Sequence, residues 1–190
     1  MKQSKPNVFV ALLRGVNVGG NNMISMKSLK ESFETIRGFT NVSTYINSGN
    51  VIFQSKEGDA RKLEKKIEQV LSKDYQLDSK VVVRSLPEME KLVKSLPQHW
   101  SVASDWRHNV IFLRHTIDSE EILAELPIKD DIEQIAYRPG ALLWSAQATE
   151  LRQTSMQKLS TRKIFHDMTV RNLNTTRKLC DLMLRAASPG

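Results

Sequence analysis

The feature that most constrains this fold is a pattern that occurs twice along the 190 residues. An apolar run ending in arginine comes first, at Val8–Arg14 and again at Val110–Arg114. In both halves there follow a tyrosine, a tight turn with glycine and an apolar strand ending in an aromatic residue, at 45–53 and 137–144. Two matching units in the same order predict a duplicated structure. Chance similarity between apolar strands is the alternative.

Helix and strand signals fill in the first copy. Ser25 is expected to cap a helix that Gly38 ends, and Asp59 is expected to cap a second one. Alternation at 42–46 predicts a half-buried strand with Ile46 on its apolar face, and residues 80–84 form a β-branched strand. The order β-α-β-β-α-β is that of a ferredoxin-like unit.

The second copy is less regular. Asp118 and Glu121 bracket the start of a short helix, a long polar stretch follows Ser145, and a final helix capped by Asn174 closes the chain. We therefore predict an α+β fold (an α/β sandwich) of two ferredoxin-like β-α-β-β-type subdomains, the second irregular with an added C-terminal helix. The predicted boundaries are 1–85, a helix and connection at 86–107, and 108–190.

Composition excludes several classes of protein. Hydrophobic residues make up 40% and charged residues 26%, which is typical of a globular domain. Cys180 is the single cysteine, so an internal disulfide framework and a cysteine-based zinc site are ruled out. The four histidines lack metal-ligand spacing, and no metal site is predicted. The apolar run Val8–Leu13 is too short to cross a bilayer, and we expect a cytoplasmic protein without membrane association.

Positive charge is concentrated at the end of the chain. Residues 151–190 hold eight Lys/Arg and two Asp, whereas residues 1–150 are almost balanced at +1. Such a segment attracts phosphate, nucleic acid or an acidic partner, and a solvated basic helix is the alternative. Both first strands are apolar on both faces, which disfavours RNA recognition by an open sheet face.

The loop Gly15–Asn22 lies between a buried strand and a helix. Backbone N–H groups at such a position can hold an anion, and glycines allow a ligand to approach closely. Asn21 and Asn22 stand where a P-loop has lysine and a hydroxyl residue, so binding of a nucleoside triphosphate is not expected. A purely structural turn is the alternative.

Two further polar segments accompany this loop. The residues Asn47–Asn50 are typical of a hairpin turn. Tyr45 and the asparagine side chains of this turn could also bind a ligand. No base or oxyanion hole in the sequence supports Ser48 as a nucleophile. The segment 169–177 opens the last helix with Arg171 and Arg177 and is the best local candidate for an anion site. A plain capped basic helix is the alternative.

Three stretches resemble the signature segments of a known family, in order: Phe9–Gly20, Thr44–Phe53 and Thr169–Thr175. They are similar to the uncharacterised, largely bacterial "domain of unknown function sixteen-ninety-seven" family. That family usually has glutamine where Asn47 stands and tryptophan where Leu173 stands, so this chain keeps the amide and lacks the aromatic ring. The resemblance implies two ferredoxin-like subdomains and implies no established activity, cofactor or catalytic residue.

These observations lead to two functional hypotheses. The first is a small ligand bearing phosphate or carboxylate, bound in one polar cleft where the three segments converge. Its expected site residues are Arg14, Gly15, Asn17, Gly19, Gly20, Asn21, Tyr45, Asn47, Ser48, Asn50, Arg171, Asn172 and Thr175. The second is binding of nucleic acid through residues 151–190, with Arg171, Arg177 and Lys178 as its cations. The sequence leaves open whether the protein is an enzyme, and it assigns no cofactor.

Overall fold

The computed structural model describes residues 7–17, 23–100, 105–129 and 131–188. The chain forms two compact units: unit 1 comprises Met1–Met89 with Leu179–Gly190, and unit 2 comprises Glu90–Lys178. The predicted division near residue 85 lies close to this one, but residues 179–190 group with unit 1 rather than with the second half. Within the described residues, no helix has the length and apolar character needed to span a membrane.

Unit 1 has the predicted ferredoxin-like order. Its elements are β1 (Asn7–Leu13), α1 (Met26–Glu34), β2 (Phe39–Tyr45), β3 (Asn50–Ser55), α2 (Ala60–Tyr75) and β4 (Val81–Ser85), followed by α3 (Leu86–Lys94). The strands form an antiparallel sheet in the order β2-β3-β1-β4. The predicted caps are present, because Ser25 Oγ accepts from Ser28 N at 3.0 Å and Asp59 Oδ1 accepts from Arg61 N at 3.0 Å.

Both faces of strand β1 are buried, as its continuous apolar run predicts. Phe9, Ala11 and Leu13 belong to the core under α1 and α2. The alternate residues Val8, Val10 and Leu12, on the other face of the strand, are also buried. The edge strand β4 is closed by carboxylates of α2. Glu68 Oε1 accepts from Val81 N at 3.1 Å and Glu64 Oε1 accepts from Val83 N at 3.1 Å, which satisfies N–H groups that an edge strand otherwise leaves open.

Unit 2 repeats the sheet with less helix. It contains β5 (Trp106–Leu113), β6 (Glu133–Arg138), β7 (Ala141–Gln147), α4 (Ser155–Ser160) and β8 (Met168–Asn172), which runs into α5 (Leu173–Ala187). The strand order β6-β7-β5-β8 is the same as in unit 1. A 3₁₀ turn at Glu120–Glu125 replaces α1, and two more 3₁₀ turns flank α4, so the predicted irregularity of the second copy is confirmed.

Two predicted helix caps in this unit are wrong by one or two residues. Ser119, not Asp118, caps the 3₁₀ turn through a hydrogen bond from Glu121 N. Asn172, not Asn174, caps α5, where its Oδ1 accepts from Thr175 N at 2.8 Å. Ser119 and Asn172 directly precede the first helical residues and so occupy the N-cap positions, whereas Asp118 lies one residue too early and Asn174 already lies inside the helix.

Strand registers show how closely the two sheets correspond. Leu13 N donates to Gly49 O at 2.8 Å, and Leu113 N donates to Gly140 O at 3.0 Å. The last strands correspond as well, because Arg84 pairs with Val10 in unit 1 and Arg171 pairs with Val110 in unit 2. The repeated pattern therefore includes a third segment, β4 with α3 and β8 with α5, which the sequence comparison missed.

The hairpin similarity needs one correction. Phe53 and Trp144 do correspond, since they pair with Phe9 and Asn109. The tyrosines do not correspond. Tyr45 pairs with Asn50, whose counterpart in unit 2 is Ala141, but Tyr137 pairs with the next residue, Leu142. The turn of unit 1 spans residues 46–49 and that of unit 2 only 139–140, so the longer turn shifts the register of β2.

Ile46 was expected on the apolar face of a strand, and this expectation is wrong. Ile46 lies in the turn with φ +48° and is 49% exposed. Strand β2 ends at Tyr45, and its register shifts between Thr40 and Ser43, where Asn41 also has a positive φ of 50°. The strand stops one residue before Ile46, so the alternation from which its face was predicted no longer applies to it.

Candidate functional site

Two of the three predicted segments meet in unit 1. The hydrogen bond from Leu13 N to Gly49 O, 2.8 Å long, fixes the end of β1 against the β2–β3 turn. A Cβ atom at Gly49 would lie 2.8 Å from Leu13 Cβ and 3.3 Å from Val16 Cβ, so only glycine allows this approach. Arg14–Asn17 and Ile46–Gly49 together are called the turn site below.

Two asparagines of the turn site region hold the backbone in place. Asn17, at φ +55°, donates from Nδ2 to Ile24 O at 2.9 Å and accepts from Ile24 N at 2.7 Å, which closes the loop between them. Asn50 is fully buried and donates from Nδ2 to Tyr45 O at 3.1 Å and to Ser48 Oγ at 2.9 Å. Both side chains therefore have structural contacts that build the site.

Other predicted residues face solvent more openly. Gly15 and Asn47 are exposed, while Arg14, Tyr45 and Ser48 are half-buried. Ser79 Oγ donates to the Arg14 carbonyl at 2.6 Å and so anchors the backbone that carries the guanidinium. Gly19, Gly20 and Asn21 lie outside the described residues.

The third predicted segment belongs to unit 2, and its polar groups make internal contacts. Arg171 is only 8% exposed and donates from Nη1 to Thr169 Oγ1 and to Val170 O, both at 2.8 Å. Burial lowers the pKa of Arg171 to about 10. Asn172 caps α5 by accepting from the backbone of Thr175, whose side chain is buried.

The exposed positive charge of unit 2 lies earlier in the chain than predicted. Arg171 is buried, and Arg177 is half-buried with Nη2 donating to Trp100 O at 3.3 Å. The four exposed cations of the stretch 151–166, which contains no Asp or Glu, are Arg152, Lys158, Arg162 and Lys163.

A regional charge count could have found a second signal. Residues 1–56 contain seven Lys/Arg and only Glu31 and Glu34, but summing over 1–150 concealed this excess. Both parts of the turn site lie in that acid-poor stretch. The sequence pattern indicates only a helix start at Asp118. In the structure, its Oδ1 accepts from Gly140 N at 2.8 Å and from the Tyr137 hydroxyl at 3.0 Å.

Unit 2 also holds a buried aromatic pair. Trp100 stacks on His108 with ring centroids 4.5 Å apart. Burial lowers the pKa of His108, and the neighbouring charges of His99 and Arg177 lower it further. Among the described residues, no three His, Cys, Asp or Glu side chains lie close enough together to hold a metal ion.

Comparison with known families decides the identity of the chain. The family described as "Protein of unknown function (DUF1697)" matches residues 7–144, most of the chain. The chain belongs to this family. The match covers both parts of the turn site and ends before the third predicted segment, which starts at Thr169.

A solved structure supports the same fold for this DUF1697 protein. "Conserved bacterial protein SP0830 from Streptococcus pneumoniae" is 26% identical, with a TM-score of 0.79, over 94% of this chain and 99% of that chain. No curated protein matches the chain. The likeness to this bacterial protein extends through both units and confirms the α+β architecture with two four-stranded sheets.

Proposed function

We propose that this DUF1697 protein binds a small anionic ligand at the turn site of unit 1. The observation that carries the proposal is the 2.8 Å hydrogen bond from Leu13 N to Gly49 O. It holds the segment bearing Arg14 beside the polar turn that exposes Asn47. A guanidinium, an exposed amide and backbone groups at positive φ are a donor set suited to a phosphate or carboxylate.

The surrounding charge favours the same class of ligand. Apart from Glu31 and Glu34, both on α1, residues 1–56 carry only positive or neutral side chains. A surface region with an excess of one sign raises the local concentration of ligands of the opposite sign. The proposal is narrower than the three-segment cleft, because Arg171, Asn172 and Thr175 have internal contacts in unit 2.

The test is an amide NMR titration of the whole protein with sodium phosphate and with sodium acetate, at constant ionic strength maintained with chloride. We expect saturable shifts for residues 13–17 and 46–50. Arg14→Gln should weaken binding by roughly tenfold or more, the cost of a charge-assisted hydrogen bond. Arg37→Gln removes the same charge from an exposed residue outside the turn site and should leave the affinity unchanged. Equal losses in the two variants, or no saturable shift, would refute the proposal.

A second candidate function rests on the four exposed cations Arg152, Lys158, Arg162 and Lys163. Because the stretch from residue 151 to residue 166 contains no acid, these cations are available to the phosphates of a nucleic acid. Four phosphate contacts predict a slope of about −3 for single strands and about −4 for duplex DNA when log affinity is plotted against log salt. Replacing all four by glutamine should abolish binding measured by fluorescence anisotropy. The matched control is the same replacement on α2, at Arg61, Lys62, Lys65 and Lys66.

A further inference from the structure

The two units differ in which acids surround their corresponding glycine turns. In unit 2 the Asp118 carboxylate accepts from Gly140 N at 2.8 Å and from the Tyr137 hydroxyl at 3.0 Å. A second acid, Asp167, lies with Oδ1 3.6 Å from Nε of Arg114, the residue directly after β5. Two carboxylates of the chain itself therefore neutralise this end of the sheet in unit 2.

Unit 1 has no acid at either corresponding place. Leu13 pairs with Val81 in unit 1, and Leu113 pairs with Met168 in unit 2. The residues directly before Val81 and Met168 therefore correspond, and Lys80 stands where unit 2 has Asp167. The loop after Arg14, which corresponds to the loop that carries Asp118, contains no Asp or Glu before Glu31. One acid position is thus replaced by a cation and the other by a neutral segment.

The glycine turn itself is conserved between the units. Gly49 and Gly140 both have positive φ, of 65° and 87°, and both accept from the last residue of the central strand. Arg14 and Arg114 each follow that residue directly. The glycine turn that donates to a carboxylate in unit 2 is therefore present in unit 1, with opposite charge around it, and Thr44 stands at the register position of Tyr137.

We infer that the turn site takes a carboxylate group from outside the chain, in the role that the Asp118 carboxylate fills in unit 2. This inference rests on the proposed function and specifies the ligand class. A carboxylate presents two acceptor oxygens, which match a backbone N–H on one side and a guanidinium on the other. Lys80 adds positive charge, and the carboxylate of Asp78, whose Oδ1 lies 3.9 Å from Lys80 Nζ, is almost fully exposed, so water screens this ion pair.

The first experiment compares sodium acetate with sodium phosphate as probes, by amide NMR at constant ionic strength. We expect the Gly49 amide to shift saturably with acetate, whereas the Gly140 amide stays unchanged because Asp118 occupies its turn. Acetate should bind at least as tightly as phosphate. If phosphate alone binds, the proposed anion site stands and the carboxylate inference fails. If neither binds at these residues, both fail.

The second experiment copies the acid of unit 2 into unit 1. Lys80→Asp should weaken acetate binding by roughly tenfold or more, and Lys80→Gln by less, because only the first installs a competing carboxylate. Lys56→Asp makes the same charge reversal beyond the opposite end of β3 and serves as the control. Conversely, Asp118→Ala should lower the unfolding midpoint, and acetate should restore it more than chloride does. An equal effect of Lys80→Asp and Lys56→Asp on acetate affinity would overturn the inference.

Discussion

The two units fill corresponding core positions differently, unit 1 with stacked aromatic rings and unit 2 with a buried carboxylate. In unit 1, Phe39 on the edge strand β2 stacks on Phe53 with ring centroids 4.1 Å apart. The registers place Glu133 and Trp144 at the corresponding positions of unit 2. There the contact is a hydrogen bond, 2.8 Å long, from Trp144 Nε1 to Glu133 Oε2.

The reason lies in what covers each sheet. Unit 1 has α1 and α2 over its core, and helices satisfy their own backbone groups internally. Unit 2 has short 3₁₀ turns and loops, which leave N–H groups directed inward. Glu133, only 1% exposed, accepts from Lys129 N at 3.0 Å and Ser155 N at 2.9 Å, and from Ser155 Oγ at 2.8 Å. The buried Glu133 carboxylate thus accepts hydrogen bonds from backbone N–H groups of the irregular segments, whereas in unit 1 such groups are satisfied within the helices.

The largest expected effect tests this difference directly. Glu133→Ala removes the acceptor of four hydrogen bonds and should lower the free energy of unfolding by about 4 kcal/mol, as buried donors lose their partner. Chemical denaturation measures it. Glu121→Ala, at an exposed position of the same unit, should change stability by less than about 0.5 kcal/mol. A small loss for Glu133→Ala would show that the carboxylate is not the centre of this core.

The second prediction concerns the glycine turn that the units share. Gly49→Ala should lower the free energy of unfolding by about 3 kcal/mol, through left-handed strain at φ +65° and the clash with Leu13. Gly38→Ala is the matched control, since Gly38 has φ +92° but open space around it. It should cost only about 1 kcal/mol. Equal costs for the two variants would show that the close approach to Leu13 is unimportant.

The third prediction uses a position where the units differ in charge. Strand registers align His108 with Val8. Because the pKa of folded His108 is lowered, the unfolded chain binds the proton more readily, and stability should fall as the pH drops below about 6.5. Denaturant titrations between pH 8 and pH 5 measure this. His108→Val, which copies unit 1, should flatten the profile, and His166→Gln, at an exposed histidine, should not.

The smallest effect concerns the longer turn of unit 1. The described non-glycine residues with positive φ, Asn17, Asn41, Ile46 and Gln76, all lie in that unit. Ile46 is the β-branched one among them, so Ile46→Asn should relieve strain and raise the free energy of unfolding by up to about 1 kcal/mol. Ile46→Val keeps the branch and should give no gain. A loss of stability in Ile46→Asn would mean that the exposed side chain contributes packing.

Much of this fold could be predicted from sequence because it follows from local periodicity. The apolar run Val8–Arg14, the caps Ser25 and Asp59 and the glycine turns define elements that form as expected. The correspondence of Arg84 with Arg171 escaped prediction, since it depends on strand register and not on similar letters. The face of Ile46 was mispredicted because the strand ends at Tyr45 and the four-residue turn begins at Ile46, a boundary that alternation alone does not reveal.

For the candidate site, the sequence determined the residue types and the tertiary structure decided their roles. Turn chemistry singled out Asn17 and the turn Asn47–Asn50, because Asn, Ser and Gly favour turns, and Arg14 was singled out because a guanidinium suits an anion. Only the folded chain shows that Asn17 and Asn50 hold backbone and that Arg171 is buried. Burial and hydrogen bonding arise from neighbours distant in sequence. The twofold pattern that the sequence revealed thus became a functional argument only when registers showed which acids of unit 2 are missing from unit 1.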